Sequence, residues 1–131
     1  MSEKKFATAI NCMDGRVQLP VIKYLIEKYS VDYVDIITEP GPNKIICECN
    51  DAEIIDSIKK RVELSVDKHG SKIVAISGHH DCAGNPQKKG IQLKQLNSAI
   101  KVVKSWNLNV QIIGLWINDN WKVNEVPPLE G

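Results

Sequence analysis

An excess of charge of one sign is what this sequence most plainly lacks. Seventeen basic residues against sixteen acidic leave a net charge of +1 over 131 residues. Proteins that grip nucleic acid or an anionic membrane surface do so with clustered Lys and Arg, so neither is an expected partner. Lys59-Lys60-Arg61 and Lys88-Lys89 are short basic clusters, and a solvated helix face and a loop account for them. Long hydrophobic runs are missing too, since nothing approaches the ~18 apolar residues of a membrane span. After Met1-Ser2-Glu3-Lys4-Lys5 the apolar stretch is shorter than the ~7–15 residues of a secretory signal, and the cytoplasm is the expected location. Aromatic residues are few. Trp106, Trp116 and Trp121 are too scattered for a base-stacking platform and are expected to cover the sheet or an interface. With no internal repeat, linker or low-complexity segment, residues 1–131 are expected to form one domain.

What the chain does have is an alternation of two periodicities. Phe6–Ile10, Val34–Thr38, Ile73–Ser77 and Val110–Ile117 are short, rich in Ile and Val, and mostly apolar on both faces, as covered strands are. Helical stripes lie between them. Ile22, Leu25, Ile26 and Tyr29 recur at i, i+3, i+4, i+7, with Pro20 near the start, where a helix tolerates it. Ile55, Ile58, Val62 and Val66 form a stripe within Asp51–His69, with Asn50 as N-cap, Glu53 three residues on, and Gly70 as the stop. Leu93, Leu96, Ile100 and Val103 make the third stripe, ending near Asn107. This alternation predicts an α/β fold with a mainly parallel four-stranded sheet flanked by helices. Asn118-Asp119-Asn120 is turn chemistry, because Asn and Asp tolerate positive φ. Trp121–Val126 is expected to return as a short antiparallel edge strand, ended by Pro127-Pro128.

Four cysteines without a secretory signal favour metal binding over disulfides. Cys12-Met13-Asp14-Gly15-Arg16 follows the first strand, and Gly78-His79-His80-Asp81-Cys82 follows the third. In such sheets ligands bind beyond the carboxyl ends of the strands, where both segments fall. Two thiolates and one imidazole there would make a three-ligand zinc site. Structural zinc sites close all four positions, whereas catalytic sites keep one for water or substrate. A lone buried Cys is more often an inert small hydrophobe, but two of them beside His79, Asp14 and Arg16 favour metal. Neighbouring side chains diverge, so one of His79 and His80 turns inward, and the spacing to Cys82 favours His79. His80 is then a loop residue, with proton transfer as its alternative role. Asp81 either orients His80 or caps the following turn, the cap being the better reading. Cys47-x-Cys49 has no further Cys to complete a second site. Its segment reads as a strand or loop edge, with ordinary packing for both thiols.

Cys-x-Asp-x-Arg after one strand and His-x-x-Cys after another resemble the paired motif of the β-class carbonic anhydrases. The likeness continues through Arg61–Val66 into Gly78-His79, and through Gly114-Leu115-Trp116 to the Asn118–Asn120 turn, so it covers nearly the whole chain. The resemblance implies zinc held by Cys12, His79 and Cys82, with Asp14 and Arg16 as the catalytic ion pair. It implies a lyase that reversibly hydrates carbon dioxide to bicarbonate by zinc-bound hydroxide, working as a homodimer. The chemistry is coherent, because zinc at an open site lowers the pKa of bound water to roughly 7. The planar fork of Arg16 can hold the Asp14 carboxylate so that it accepts a hydrogen bond from that hydroxide. Released by Arg16, Asp14 could ligate the metal and close the site; the family shows both arrangements.

Two departures separate the chain from the family pattern. Family members usually carry a long helical N-terminal arm that wraps a partner subunit and often contributes a glutamine to the substrate pocket. Here the first strand begins almost at once. The family's Arg-Asn-Ala-Gly run after strand two is replaced by Thr38-Glu39-Pro40-Gly41-Pro42-Asn43, which keeps the Gly for close backbone approach. Three further functions therefore stand beside hydration. One is hydrolysis of carbonyl sulfide or carbon disulfide at the same site, favoured by a narrow apolar pocket. The others are a non-catalytic zinc-binding protein and a metal-free redox dithiol of Cys12 and Cys82.

Overall fold

The apolar runs without a polar face become the innermost strands. β1 (Phe6–Cys12) pairs in parallel with β2 (Tyr33–Glu39) on one side and β3 (Ile73–His79) on the other. β4 (Gln111–Ile117) adds in parallel to β3, and β5 (Val123–Val126) returns antiparallel to β4. The order is β2-β1-β3-β4-β5, so the expected parallel sheet with an antiparallel C-terminal strand is present. This computed structural model describes residues 3–127. Met1, Ser2 and the residues from Pro128 on, hence half of the expected Pro127-Pro128 stop, lie outside them.

The pleat sends alternate side chains into two separate cores. Ala7, Ala9, Ile73 and Ala75 pack with Val21 and Leu25 of α1 (Gln18–Tyr29). Ile10, Val74 and Ile76 pack on the other face. There they meet Ile46 of α2 (Pro42–Glu48), Ile58 and Val62 of α3 (Ala52–His69), and Leu96, Ala99 and Val103 of α4 (Lys89–Lys104). All seven residues of β3 are buried, as a strand covered on both faces requires. Among the described residues no helix is long and apolar enough to cross a membrane.

Several local expectations are corrected. A 3₁₀ turn at Gly15–Val17 carries Val17 into the core, and Val17, Val21 and Leu25 at four-residue spacing set the buried ridge. That rotates the stripe of α1, leaving Ile22 half-buried and Ile26 exposed. The cap of α3 is Asp51 and not Asn50; its Oδ1 accepts from Ile54 N at 3.1 Å. A carboxylate there also suits the positive end of the helix dipole. Gly70 ends the helix at φ 68°, as expected. The segment before Asn50 is a helix, two turns long and too short to show a period. Its signals are Gly41 at φ 66° and Pro42 at the first helical position. Cys49 does not pack; it is exposed at φ 54° as the C-cap, while Cys47 is half-buried.

The turn before β5 holds a correction that matters for the site. Positive φ falls on Trp121 (60°) and on none of Asn118, Asp119 and Asn120. Asn118 Oδ1 accepts from the amides of Asn120 and Lys122, and Trp121 N–H donates to Asn118 O. This closed ring of bonds forces the residue at its end into the left-handed region, which costs a bulky side chain energy.

Candidate metal centre

Strand order reverses between β1 and β3, and a crevice opens beyond the carboxyl ends of such a pair. Cys12 is the last residue of β1 and His79 the last of β3. Cys82 follows on a tight turn made by Asp81 at φ 57°. All three are buried, and their candidate ligand atoms lie within 4.8 Å of one another.

The donor set fits a thiophilic dication such as zinc. The two sulfurs are 3.8 Å apart. Two sulfurs each ~2.3 Å from one tetrahedral ion stand about 3.8 Å apart, whereas a disulfide needs ~2.05 Å. His79 donates from Nδ1 to the His80 carbonyl at 2.7 Å, which fixes the tautomer and turns the Nε2 lone pair inward. That Nε2 is buried with no hydrogen-bond partner. A buried acceptor left so costs about 1–3 kcal/mol, a loss that an ion in the cluster would remove.

Protonation points the same way. The Cys82 thiol donating to Cys12, with help from His79 and against the cost of burial, holds Cys12 well below the usual thiol range. Cys82 is pushed up in turn, because it is the donor, because it is buried, and because a second thiolate would face the first. A dication between the sulfurs removes that repulsion and ionises both. At His79 the balance runs the other way: burial works against a charged ring, yet the Cys12 thiolate and the His80 carbonyl leave its pKa above the ordinary value, so an ion bound there would displace a proton from Nε2.

Buried and half-buried amides hold the two ligand loops. Gln18 Nε2 donates to the carbonyls of Cys12 and Asp14 at 2.7 and 2.8 Å. Asn11 spans from Ser77, which donates to it, to the Val17 carbonyl. Gln92 brackets the main chain of His79, donating to its carbonyl at 2.8 Å and accepting from its amide at 3.3 Å. Asn43 donates to the same Gln92 oxygen, and Asn85 donates to Asn43 and Gln95. Asn85 Oδ1 is also buried without a partner, and nothing in the structure explains it. The loops after β2 and after Cys82 meet backbone to backbone. A Cβ on Gly84 would lie 2.7 Å from the Pro40 carbonyl carbon, and one on Gly41 2.9 Å from Asn85 Cβ. The glycine kept in the altered 38–43 segment thus serves close approach.

Asp14 and Arg16 form a two-pronged pair at the mouth. Arg16 Nε donates to Asp14 Oδ1 at 3.0 Å and Nη2 to Oδ2 at 2.7 Å. The Arg16 side chain, against a small cost of burial, holds the Asp14 carboxyl down at about 2. Asp81 neither caps the next turn nor orients His80. Its carboxylate accepts from Arg16 Nη1 at 3.3 Å and its carbonyl from Nη2 at 3.0 Å. The Arg16 guanidinium also lies 4.4 Å from the centre of the Trp121 ring. His80 is exposed and shares the wall of a cavity of about 420 Å³ with Cys82, Trp116, Lys88 and Lys89.

A family described as "Putative carbonic anhydrase" matches residues 2–127. The chain belongs to this carbonic anhydrase family. Solved structures agree on the fold. A β-carbonic anhydrase of Trichomonas vaginalis, 16% identical, superposes with a TM-score of 0.62 over 98% of this chain and 88% of its own. A carbonic anhydrase of Streptococcus mutans, also 16% identical, gives 0.64 over 92% and 81%. One of the tetrameric β-carbonic anhydrases of Sordaria macrospora, 10% identical, gives 0.60 over 94% and 80%. No curated protein matches the chain by sequence.

All five expected site residues converge on one end of the sheet, whereas Cys47 and Cys49 stay outside the donor cluster. The sequence reading missed Trp121, Gln18 and Gln92 as parts of the site. Gln92 left a trace: it extends the buried row Leu96, Ala99 and Val103 one step toward the helix start, at helical spacing. Trp121 left none, because its place depends on the turn before it.

Proposed function

We propose that the chain is a zinc-dependent carbonic anhydrase that interconverts carbon dioxide and bicarbonate. One observation carries this reading: a buried Cys-His-Cys cluster with an unpartnered imidazole nitrogen stands beside a carboxylate that Arg16 holds to itself. Cys12, His79 and Cys82 would hold the metal, which when bound supplies Lewis acidity and brings the pKa of a water to about 7. Asp14, ionised at any pH above about 2, cannot store a proton near neutrality. Its task is to accept a hydrogen bond and orient the attacking water toward the carbon. His80, exposed on the cavity wall, is the group placed to carry the released proton outward. Lys88 and Lys89 on that wall suit an anionic product better than the apolar slot that carbonyl sulfide or carbon disulfide would favour. A redox dithiol would leave the His79 lone pair without a role.

We also propose a homodimer, because the seven-residue strand β2 ends the sheet and, among the described residues, no strand pairs with its outer edge. Sedimentation that finds a monomer at every concentration would refute that part. The central test combines elemental analysis with stopped-flow hydration on one preparation. About one zinc per chain with rapid hydration is expected. Zinc-free protein that stays so after refolding with the metal sinks the proposal, and zinc without hydration leaves a binding protein.

A further inference from the structure

We propose that Asp81 and Trp121 are positioning residues that keep Arg16 locked on Asp14, and so keep Asp14 off the metal. The fork alone is a weak device. The Arg16 side chain is 45% exposed, and an exposed ion pair must overcome the entropy of a long side chain in screening solvent. A carboxylate two residues from Cys12, once freed, is itself a zinc-type donor for the fourth position. Something must therefore hold the guanidinium in place, and two further segments reach it. Asp81, from the loop after β3, takes Nη1 on its carboxylate and Nη2 on its carbonyl. Trp121, from the turn before β5, lies 4.4 Å from the guanidinium carbon, at cation–π distance.

The distances decide whether Asp81 braces Arg16 or draws it away. The Asp14 contacts of the fork, 2.7 and 3.0 Å, are shorter than the 3.3 Å contact to the Asp81 carboxylate. Asp81 also engages the edge of the guanidinium that Asp14 leaves free. It braces. Trp121 is held at φ 60° by the Asn118 bonds, a conformation that an indole adopts only under constraint. The strain in that turn thus delivers the ring to Arg16, and the same ring stands 6.4 Å from His79.

One arm of the test rests on the proposed metal reading and the other does not. In the cobalt-substituted protein, thiocyanate competes for the open position and changes the visible spectrum. The double variant Asp81→Asn/Trp121→Leu is expected to need about tenfold more thiocyanate, from the lost brace and cation–π contact. Adding Asp14→Ala to that variant is expected to restore the wild-type response, since the competing carboxylate is gone. Thiocyanate binding unchanged in the double variant, or not restored by Asp14→Ala, overturns the proposal. Trp121→Phe, which keeps a ring, is expected to retain most of the effect, and full loss there counts against a cation–π role. In the metal-free protein, exchange of the Arg16 Nε proton with water is expected to quicken about tenfold in the double variant. Unchanged exchange overturns the proposal whatever the metal does. A wild type that takes up no cobalt sinks the metal reading alone.

Discussion

Two buried polar networks lie toward opposite ends of the same sheet, and they differ in one respect. Toward the amino ends of the strands, the Thr8 hydroxyl meets Ser65 and Ser71 at 2.6 and 2.7 Å. Ser65 donates to Asp35 Oδ2, which also pairs with His69 Nδ1, and Ser71 donates to the Ile73 carbonyl. Every buried side-chain polar atom there has a partner. At the carboxyl ends, among the described residues, His79 Nε2 and Asn85 Oδ1 have none. A Ser, Asp and His within reach of one another look catalytic on paper, yet Asp35 lies between the other two and holds both, so the imidazole does not meet the hydroxyl. A cavity of about 650 Å³ beside His69 is larger than the one beside Cys82, so size does not mark the site either. What marks it is an acceptor buried at a cost and left open.

The sharpest way to break this contrast is to remove one donor from each end. Cys12→Ser is expected to take zinc from about one per chain to near none, whereas Ser65→Ala should leave it unchanged; elemental analysis reads both. Equal zinc in the two variants would mean that Cys12 is not a ligand.

Next in size is the catalytic step. Asp14→Ala is expected to lower hydration by about 10²-fold or more while zinc stays bound, as for other positioned proton acceptors. Arg16→Lys should lose most of the activity too, because an ammonium cannot reproduce the two-pronged grip. Hydration by Asp14→Ala at the wild-type rate would overturn the mechanism and leave the metal site standing.

At the closed end the effect should be one of stability alone. Thr8→Val removes a hydroxyl, but Ser65 keeps Asp35 and Ser71 keeps the Ile73 carbonyl. The loss should therefore be about 1 kcal/mol in denaturant melts, the net worth of an ordinary hydrogen bond. Activity per bound zinc should not change.

The smallest expected effect is on acid titration. Arg16→Gln should let the Asp14 pKa rise from about 2 toward the ordinary 3.8, followed by the carboxyl carbon signal in NMR. The sign follows from linkage. A depressed carboxylate adds stability that is fully present above its unfolded pKa and is lost as pH falls through the folded value. The wild type thus loses this contribution between about pH 4 and 2, and the variant has little of it to lose. Added salt should narrow the difference.

Much of this was legible in the chain. Val74, Ala75 and Ile76 have no polar neighbour to turn toward solvent, so they could only be a covered strand. That Cys12, Asp14, Arg16, His79 and Cys82 gather at one end of the sheet was legible because donor chemistry is written in residue type and because β1 and β3 end where those residues begin. Local order decides such things. The tertiary structure decided the rest: that α2 is a helix, that Asp81 faces Arg16, that Trp121 reaches it, and that Gln92 brackets His79. Each depends on segments far apart in sequence, and on which of several equally plausible polar partners the packed backbone brings within hydrogen-bond reach. Residue types supply the donors and acceptors. Only the folded chain chooses which of them meet, because a bond that fails by an ångström is no bond.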